Sequence, residues 1–431
     1  MNADAHDYIT SLPYPERFHR EHAPSWLRAT LTALGVAAPA ARRGRWCEIG
    51  CGTGYGACIL AAANPDMDFV GLDINAGQIE TARQTAAGAG LTNVSFIHGD
   101  IDEPGQDFGH FDFIVAHGIY SWVSPAIRSA IMTFAGRSLA VGGVFYLHYM
   151  AQPGAAAFTT FHDTFKQMTR LRGGDAAAGI RDGLGLLETL RQAGAGYFVA
   201  HPTAGSTLEH LGAEELGYIA HEYLNDHFAP LHVADVMHAG KNAGLSFVGS
   251  ATPIENIDAL SIPENTLATI KQVQDPALRE SLKDVARNQA LRRDLYMREP
   301  SLLDARSHHD ALGELAFCTL PGAPPHGPLT LETRIGAVQV AAAVLTPVLA
   351  QLSAAPQSFA DLSRAIPGMP VGMLNQTLHV LMGAGIVHPL LAAEPSSLSA
   401  ERLNGLLMDR LRNGQRVPAL ASAQIGSGLP L

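Results

Sequence analysis

Residues 46–56 read WCEIGCGTGYG, and this stretch decides the fold. It follows a short apolar run that is typical of a strand and leads into an apolar run typical of a helix, with glycine at every second position from 50 to 56. Glycine lets the backbone turn tightly and approach a ligand, because no Cβ atom stands in the way. The free N–H groups at the start of the next helix favour an anionic or carboxylate-bearing group. The stretch therefore predicts a ligand-binding loop between a strand and a helix of an α/β fold.

Short apolar runs alternate with helical patterns on both sides of this loop. The predicted strands are 45–49, 68–73, 94–98, 111–116 and 144–149, and the predicted helices are 55–63, 76–87 and 125–139. Strands joined by crossover helices form mostly parallel sheets, so we predict a doubly wound, Rossmann-like α/β sheet. Further along, a helix pattern beginning at His232 runs into a short strand at 246–250, which predicts a return to the same sheet.

Acidic residues at the ends of the second and third strands narrow the choice of ligand. Asp73 lies 19 residues after Gly54 and is suited to accept hydrogen bonds from a ribose diol. The pattern G-x-G-x-x-A at 52–57 satisfies the dinucleotide fingerprint, so an NAD-dependent dehydrogenase is one interpretation. The order E-x-G-x-G-x-G, then Asp73, then Asp100 after the third strand is the order of S-adenosylmethionine sites. We predict an S-adenosylmethionine-dependent methyltransferase, with the dehydrogenase as the alternative.

The predicted cofactor site lies at the carboxyl ends of the strands, where ligands of open α/β sheets bind. We expect the loop to hold the methionine part of the cofactor and Asp73 its ribose, while Ile74 stacks on the adenine and Asp100 and the Ile101 N–H meet its edge. The predicted cofactor-binding residues are Tyr14, Glu48, Gly50, Gly52, Gly54, Asp73, Ile74, Asp100, Ile101 and His117.

Candidate catalytic residues follow the fourth strand, where side chains can face a reactive methyl group. His117, Tyr120 and Trp122 lie there. An imidazole or phenol can take a proton from an acceptor nitrogen, and aromatic rings can hold a cationic amine. The alternative for Tyr120 and Trp122 is a core position with a satisfied polar tip. His148, at the end of the fifth strand, is a weaker candidate.

Composition and charge limit the kinds of partner. The 431 residues carry a net charge of −11, which disfavours a nucleic-acid or anionic-membrane binder. Four cysteines are too few for a disulfide framework and fit no zinc pattern, so we expect no metal and a reducing, cytoplasmic compartment. The N-terminus lacks a signal-peptide pattern, and the longest apolar run, 335–352, contains two Gln and a Pro and predicts a buried helix.

A Pro-rich stretch at 320–328 predicts a linker before a C-terminal module. The module shows helix patterns at 335–352, 359–366 and 371–383 and a strand at 386–391, which suggests a winged-helix-like arrangement. No Lys or Arg occurs from 370 to 391, where a DNA-reading helix needs them, so we expect the module to pack on the rest of the chain. A chain ending near Pro321 is then expected to keep cofactor binding.

The chain resembles class I S-adenosylmethionine methyltransferases that carry a methyltransferase regulatory domain, a group that includes rickettsial-type protein lysine methyltransferases. The matching stretches are PYP at 13–15, EIGCGTG at 48–54, AHGIYSWV at 116–123, HEYLN at 221–225 with 232–249, and NQALRRDL at 288–295, read as an arginine-bearing helix. The resemblance implies a methyltransferase acting on a protein or peptide lysine nitrogen. It departs at 148–155, HYMAQPGA, where family members read Ser-Tyr-Asn-Thr followed by Pro-Gly-Trp.

Together these observations predict four regions: an N-terminal helical arm (1–43), a methyltransferase domain (44–150 with 231–255), a helical and regulatory region (151–230 with 256–319) and the C-terminal module (329–431). A small-molecule N- or O-methyltransferase and a non-catalytic cofactor-binding scaffold remain the alternative functions. The acceptor, the number of methyl groups transferred and the oligomeric state are not encoded in a readable pattern.

Overall fold

The computed structural model describes residues 15–40, 42–101, 108–391 and 397–431. Its centre is a sheet of seven strands: β1 (Arg45–Ile49), β2 (Asp68–Asp73), β3 (Val94–His98), β4 (Phe111–Ala116), β5 (Leu139–Met150), β6 (Leu245–Ser250) and β7 (Leu291–Arg298). Their order is β3-β2-β1-β4-β5-β7-β6. Strands β1 to β5 pair in parallel, and β7 runs antiparallel to β5 and β6. This sheet confirms the predicted Rossmann-like α/β fold.

Helices α1 (Pro24–Ala33), α2 (Tyr55–Ala63), α3 (Ala76–Gly88) and α4 (Pro125–Ser138) belong to the first half of the chain. Local capping explains why two of them start where they do. The Asn75 side chain accepts hydrogen bonds from the first backbone N–H groups of α3, and Ser124 does the same for α4. Strands β1 to β4 and helix α2 have the predicted bounds, whereas β5 begins earlier than predicted, at Leu139.

An inserted helical segment follows β5. It consists of α5 (Thr159–Leu171), α6 (Ala176–Gln192), α7 (Gly196–Ala200), α8 (Pro202–Ala213) and α9 (Leu216–Tyr223). These helices bury an apolar cluster of their own, in which Phe161 and Phe165 contact the Tyr223 ring. Helix α10 (Val233–Asn242) then leads into β6, so the predicted return to the sheet is confirmed.

The prediction of a helix over 288–295 is wrong. Helices α11 (Asp258–Ser261), α12 (Glu264–Gln272) and α13 (Pro276–Arg287) come first, and α13 ends because Asn288 adopts a left-handed conformation with φ 48°. The chain then enters the sheet as β7. The sequence does not indicate this strand, because charged residues such as Arg292 and Asp294 are rarely buried. Here both side chains are buried and paired to each other at 2.8 Å.

The prediction of one helix over 335–352 is also wrong at its start. Strands β8 (Ala316–Thr319), β9 (Leu329–Thr333) and β10 (Gly336–Val340) are followed by α15 (Ala342–Ala354), while α14 (Ala305–Gly313) precedes β8. Gly336, with φ 104°, permits the tight turn between β9 and β10, so the first third of the apolar run pairs as a strand. Neither α15 nor another helix of the described residues combines the length and apolarity that a membrane crossing needs.

The C-terminal part shares one hydrophobic core with one face of the sheet. Its further elements are β11 (Gln357–Ser358), α16 (Phe359–Ala365), α17 (Val371–Gly383), β12 (Val387–Pro389), α18 (Leu398–Arg412), β13 (Ala419–Ser422) and β14 (Ser427–Pro430). Strand β8, which precedes the Pro-rich stretch, lies between β11 and β12. Leu378 and Leu403 are buried in the same apolar cluster as Trp26 and Trp46. Helix α17 therefore has a packed face, which agrees with the expected packing of this part on the rest of the chain.

Hydrogen bonds also tie the C-terminus to the glycine-loop helix. The Tyr55 hydroxyl, in the first turn of α2, donates to the Ala419 carbonyl at 2.5 Å and accepts from its N–H at 3.0 Å. The Asn64 side chain, just after α2, donates to the Gly426 carbonyl at 3.0 Å. Helix α2 is thus fixed at both ends by β13 and the turn before β14.

Stability should fall in acid because of His388. Burial lowers its pKa from 6.5 to about 4, although its ring donates to the Pro389 carbonyl at 2.8 Å. Between these two pH values the unfolded chain binds a proton that the folded chain does not, so the free energy of unfolding decreases as pH falls from 6.5 to 4. For this one group we expect a loss of about 3 kcal/mol.

Urea unfolding at pH 7 and pH 4.5 measures this effect. His388→Asn should reduce the pH dependence by the contribution of this one group, while replacement of the exposed His309 should leave it as in the parent chain. Equal pH dependence in the parent and in His388→Asn would contradict the assignment.

Candidate active site

A cavity of about 250 Å³ opens at the carboxyl edge of the parallel strands. It is lined by the N-terminal arm (residues 15–22), by the loops that follow β1, β2, β3 and β4, and by α9 with the residues just after it. The loops are there because all parallel strands end at this edge. The arm and α9 come from distant parts of the chain and cover the cavity from two further sides.

The glycine loop takes a shape that only glycine supports at three positions. Gly50, Gly52 and Gly54 have φ values of 73°, 56° and 67°, in the left-handed region. A Cβ atom on Gly54 would lie 2.5 Å from the Phe96 ring and 2.7 Å from the Ala82 methyl. The alternating glycines of the sequence are therefore explained by backbone conformation and by close packing on β3 and α3.

Asp73 is held by the loop that it faces. Its carboxylate accepts hydrogen bonds from the Gly52 N–H and the Asn75 N–H, both at 2.8 Å. Burial raises the Asp73 pKa, and these two bonds oppose the rise. Each oxygen keeps lone-pair capacity beyond its backbone bond, so the carboxylate can accept further hydrogen bonds from a ligand in the cavity.

The other predicted cofactor residues lie around the same cavity. Ile74, Asp100 and Ile101 line it beyond β2 and β3, and Ile74 is 51% exposed. Glu48 lines it at the end of β1, where burial and the neighbouring Asp73 raise the pKa of its carboxyl to about 8. Tyr14 lies outside the described residues.

Of the predicted catalytic residues, the structure brings two to the cavity. His117 and Trp122 line it, whereas Tyr120 does not. Tyr120 is 3% exposed and packs in the core, with its ring centroid 6.3 Å from that of Tyr149. The reason is a turn closed by the Trp122 N–H, which donates to the Ile119 carbonyl at 2.9 Å, so that 119 and 122 face the cavity and 120 faces inward. The core position considered for Tyr120 is the observed one.

His117 belongs to a cluster of four histidines, and the two members on the arm, His19 and His22, were not among the predicted site residues. The His117 ring stacks on His19 at 3.8 Å and on His148 at 4.1 Å, and its Nδ1 lies 3.1 Å from the His22 Nε2. Burial lowers the pKa of each imidazole, that of His19 to about 4, and repulsion from neighbouring imidazoles lowers the pKa of His22, His117 and His148 further. No local sequence pattern predicts this cluster, because its members come from the arm, the loop after β4, and β5.

The stretch 148–155, which departs from the family pattern, contributes only His148 to this neighbourhood. The Gly118 N–H donates to the His148 Nδ1 at 3.1 Å. Beyond it, the Gly154 N–H donates to the Gln289 carbonyl at 2.8 Å, and a Cβ on Gly154 would collide with the backbone there. The Pro-Gly part therefore packs on the start of β7 rather than lining the cavity.

Helix α9 forms the remaining side of the cavity. His221, Glu222 and Asn225, from the HEYLN stretch, line it, and the Trp122 Nε1–H donates to the Glu222 carbonyl at 2.9 Å. The inserted segment is thus joined directly to the loop after β4. Among the described residues, no group of three or more His, Cys, Asp or Glu side chains is placed to hold a metal ion.

Comparisons with known proteins show which families the chain matches. Residues 42–182 match a family described as methyltransferase domain, and residues 215–298 match one described as predicted methyltransferase regulatory domain. An uncharacterised protein of Synechocystis sp., sll1526, is 30% identical, and the match covers 98% of this chain and 85% of the relative.

Two solved structures share the fold over most of the chain. PKMT2 from Rickettsia typhi superposes with a TM-score of 0.72 at 17% identity, covering 97% of this chain and 87% of the other. Its complex with S-adenosylhomocysteine (AdoHcy) gives a TM-score of 0.70 at 18% identity, covering 89% and 78%. The fold and site define an S-adenosylmethionine-dependent methyltransferase. More narrowly, the chain belongs to the class I methyltransferases that carry a methyltransferase regulatory domain.

Proposed function

We propose that this enzyme methylates the side-chain nitrogen of lysine in a protein or peptide. The observation that carries the proposal is the acceptor side of the cavity, where Trp122, Glu222 and the neutral His117 line the wall. An aromatic face and a carboxylate attract a cationic amine. The likeness in fold to PKMT2, a rickettsial protein lysine methyltransferase, supports a protein as the bearer of that amine.

In this proposal the glycine loop and the ends of β2 and β3 hold S-adenosylmethionine. Gly50, Gly52 and Gly54 surround its methionine part and Asp73 accepts hydrogen bonds from its ribose, while Ile74, Asp100 and Ile101 hold its adenine. These residues fit the cofactor for two reasons. The glycines of the left-handed loop have no Cβ atoms to cover the backbone, and the Gly52 N–H holds the Asp73 carboxylate in place. The cofactor supplies an electrophilic methyl group bound to a sulfonium.

The chain's own residues position the acceptor nitrogen and exclude water. The arm and α9 cover the cavity, which confines an acceptor to the space beside His117 and Trp122. Confinement of two reacting groups in one geometry contributes much of the rate in such transfers. The alternative, a small-molecule N- or O-methyltransferase, is favoured by one observation: the arm covers the cavity, as a pocket for a metabolite requires.

Methyl labelling of an extract tests the proposal. Protein extract is incubated with the enzyme and cofactor carrying an isotopically labelled methyl group, and mass spectrometry locates the label. We expect label on lysine side-chain nitrogen. Label confined to metabolites would favour the small-molecule alternative, and no label in either fraction, with AdoHcy still bound, would favour the cofactor-binding scaffold.

Asp73→Ala should weaken AdoHcy binding by about 5- to 150-fold, since loss of a buried hydrogen-bond acceptor costs ~1–3 kcal/mol. Isothermal titration calorimetry measures the affinity. Asp68, exposed at the other end of β2, provides the matched control, because Asp68→Ala changes the same strand away from the cavity. Unchanged affinity in Asp73→Ala would contradict the ribose assignment.

We also propose that residues 329–431 are a winged-helix-like module with a packing role. The buried residues of α17 and its lack of Lys and Arg support packing over DNA reading. Three of the four free cysteines are buried, and the cofactor is an intracellular metabolite, which together support a cytoplasmic enzyme. Tight, salt-dependent binding to duplex DNA would contradict the packing role.

A further inference from the structure

His22 lies between His117, beside the acceptor side of the cavity, and Glu48, which lines the cavity at the end of β1. His117 lines the cavity, and its Nδ1 lies 3.1 Å from the His22 Nε2. The other ring nitrogen of His22, Nδ1, lies 3.7 Å from the Glu48 Oε1. Both hydrogen-bonding contacts described for His117 use Nδ1, which leaves Nε2 for a ligand in the cavity. The three side chains therefore form a continuous row of titratable groups.

The His117 ring is fixed in this row by its neighbours. The Tyr146 hydroxyl lies 2.9 Å from the His117 Nδ1 and accepts a hydrogen bond from Arg293. His19 and His148 stack on the two faces of the ring. The His148 Nδ1 accepts a hydrogen bond from the Gly118 N–H, and His148 does not line the cavity.

We infer that His117, His22 and Glu48 relay a proton away from the acceptor nitrogen to the Glu48 carboxylate. This inference rests on the proposed function, since an amine must lose a proton before it can accept a methyl group. His117 is the catalytic residue, because it would touch the acceptor. His22 and Glu48 act through it.

The step balances as a shift of three protons along the row. The acceptor ammonium gives a proton to the His117 Nε2 and keeps the electron pair of the broken N–H bond as its lone pair. The His117 Nδ1 proton moves to the His22 Nε2, and the His22 Nδ1 proton moves to Glu48. Each imidazole stays neutral and ends in its other tautomer, and Glu48 ends as a carboxylic acid. Glu48 must first approach His22 to within about 3.2 Å, the outer limit of an N–H···O bond.

The charges around the row suit neutral imidazoles and a protonatable carboxylate. Among the described residues, the titratable and charged groups packed against it include His19, Glu21, Cys47, Cys51, Asp73, Tyr146, His148 and Arg293. Burial and repulsion among the imidazoles and Arg293 hold the pKa of His22 and His117 well below the ordinary value. Neither ring is therefore protonated to an imidazolium cation. Burial and Asp73 raise the Glu48 pKa to about 8, which makes it the better proton acceptor.

Histidine NMR on the AdoHcy complex tests the relay without any acceptor. Ionised Glu48 favours the Nδ1–H form of His22, and this in turn favours the Nδ1–H form of His117. We therefore expect the ¹⁵N signals of both rings to change tautomer together as Glu48 ionises, near pH 8. In His22→Gln the His117 signals should no longer follow the Glu48 carboxyl. A His117 tautomer that is independent of pH, or that changes in the same way in His22→Gln, would overturn the inference.

The rate of methyl transfer to the acceptor labelled in the extract gives the second readout. In the parent enzyme it should rise with pH through about 8, since Glu48 can accept a proton only when ionised. His117→Gln and Glu48→Gln should lower the rate by ~10²–10⁴-fold, and Glu48→Gln should lose the rise. Asp68→Asn, an exposed carboxylate change at the far end of β2 from the cavity, should keep it. If no lysine is labelled, the proposed function fails, and the NMR result still decides whether the three side chains exchange protons. If lysine is labelled and Glu48→Gln keeps the rise of rate with pH, only the relay fails.

Discussion

A chain ending at Pro321 should fail to bind AdoHcy and should unfold at a lower temperature than the full chain. The reason is the shared core: Leu378 and Leu403 of the C-terminal part are buried with Trp26 and Leu60. Each large apolar side chain left uncovered costs ~1.5–3 kcal/mol. Exposure of Trp26 and Leu60 alone therefore costs about 3–6 kcal/mol, against the ~5–15 kcal/mol that stabilises a whole domain. This expectation reverses the one drawn from the Pro-rich stretch alone.

Calorimetry with AdoHcy and thermal unfolding of both chains measure the effect. Tyr55→Phe in the full chain provides a milder test, because it removes only the hydroxyl that pairs with the Ala419 backbone. We expect it to lower the free energy of unfolding by ~1–3 kcal/mol. Full AdoHcy affinity and an unchanged unfolding temperature in the shortened chain would show that residues 322–431 are dispensable for the cofactor site.

Gly54→Ala should weaken AdoHcy binding by ~30-fold to several thousand-fold. The left-handed conformation costs a residue with Cβ ~1–2 kcal/mol, and the crowding against Phe96 and Ala82 adds ~1–3 kcal/mol. The loop can relieve this strain only by leaving the observed conformation. Affinity then falls in proportion to the population of the binding-competent loop.

Gly56→Ala is the matched control for Gly54→Ala. Gly56 lies two residues later, and a Cβ there would meet no protein atom within 4 Å. We expect Gly56→Ala to keep the unfolding temperature of the parent, while Gly54→Ala lowers it. Any loss of AdoHcy affinity in Gly56→Ala would then come from contact with the ligand itself. Parent-like affinity and stability in Gly54→Ala would refute the conformational explanation.

Much of the parallel sheet was predictable because its signals are local. Strands β1 to β4 are short apolar runs whose bounds the sequence shows directly, and α2 follows from the glycine loop. The same local signals place Asp73 at a strand end, next to the loop that binds its carboxylate. Parallel strands end at one edge, so the positions of these residues in the chain suffice to bring them together.

The wrong predictions concern residues that are buried in the structure although the sequence suggests that they are exposed. Arg292 and Asp294 look like a solvated helix face in the sequence, yet paired charges let them occupy a buried strand. Tyr120 looked accessible as part of a loop, yet a single turn directs it into the core. In both cases the deciding partner is distant in sequence or depends on one backbone hydrogen bond.

The sequence by itself determined the class of fold, the glycine loop and the strand-end residues that line the cavity, since each depends on periodicity, glycine spacing or a strand end. Only the tertiary structure decided the acceptor side. His19 and His22 of the arm contact His117, which follows β4, and α9 closes the cavity beside Trp122. Contacts between segments about 100 residues apart form through burial of shared surface, and burial is also what keeps these imidazoles neutral. No local sequence pattern predicts these long-range contacts or the neutral state of the imidazoles.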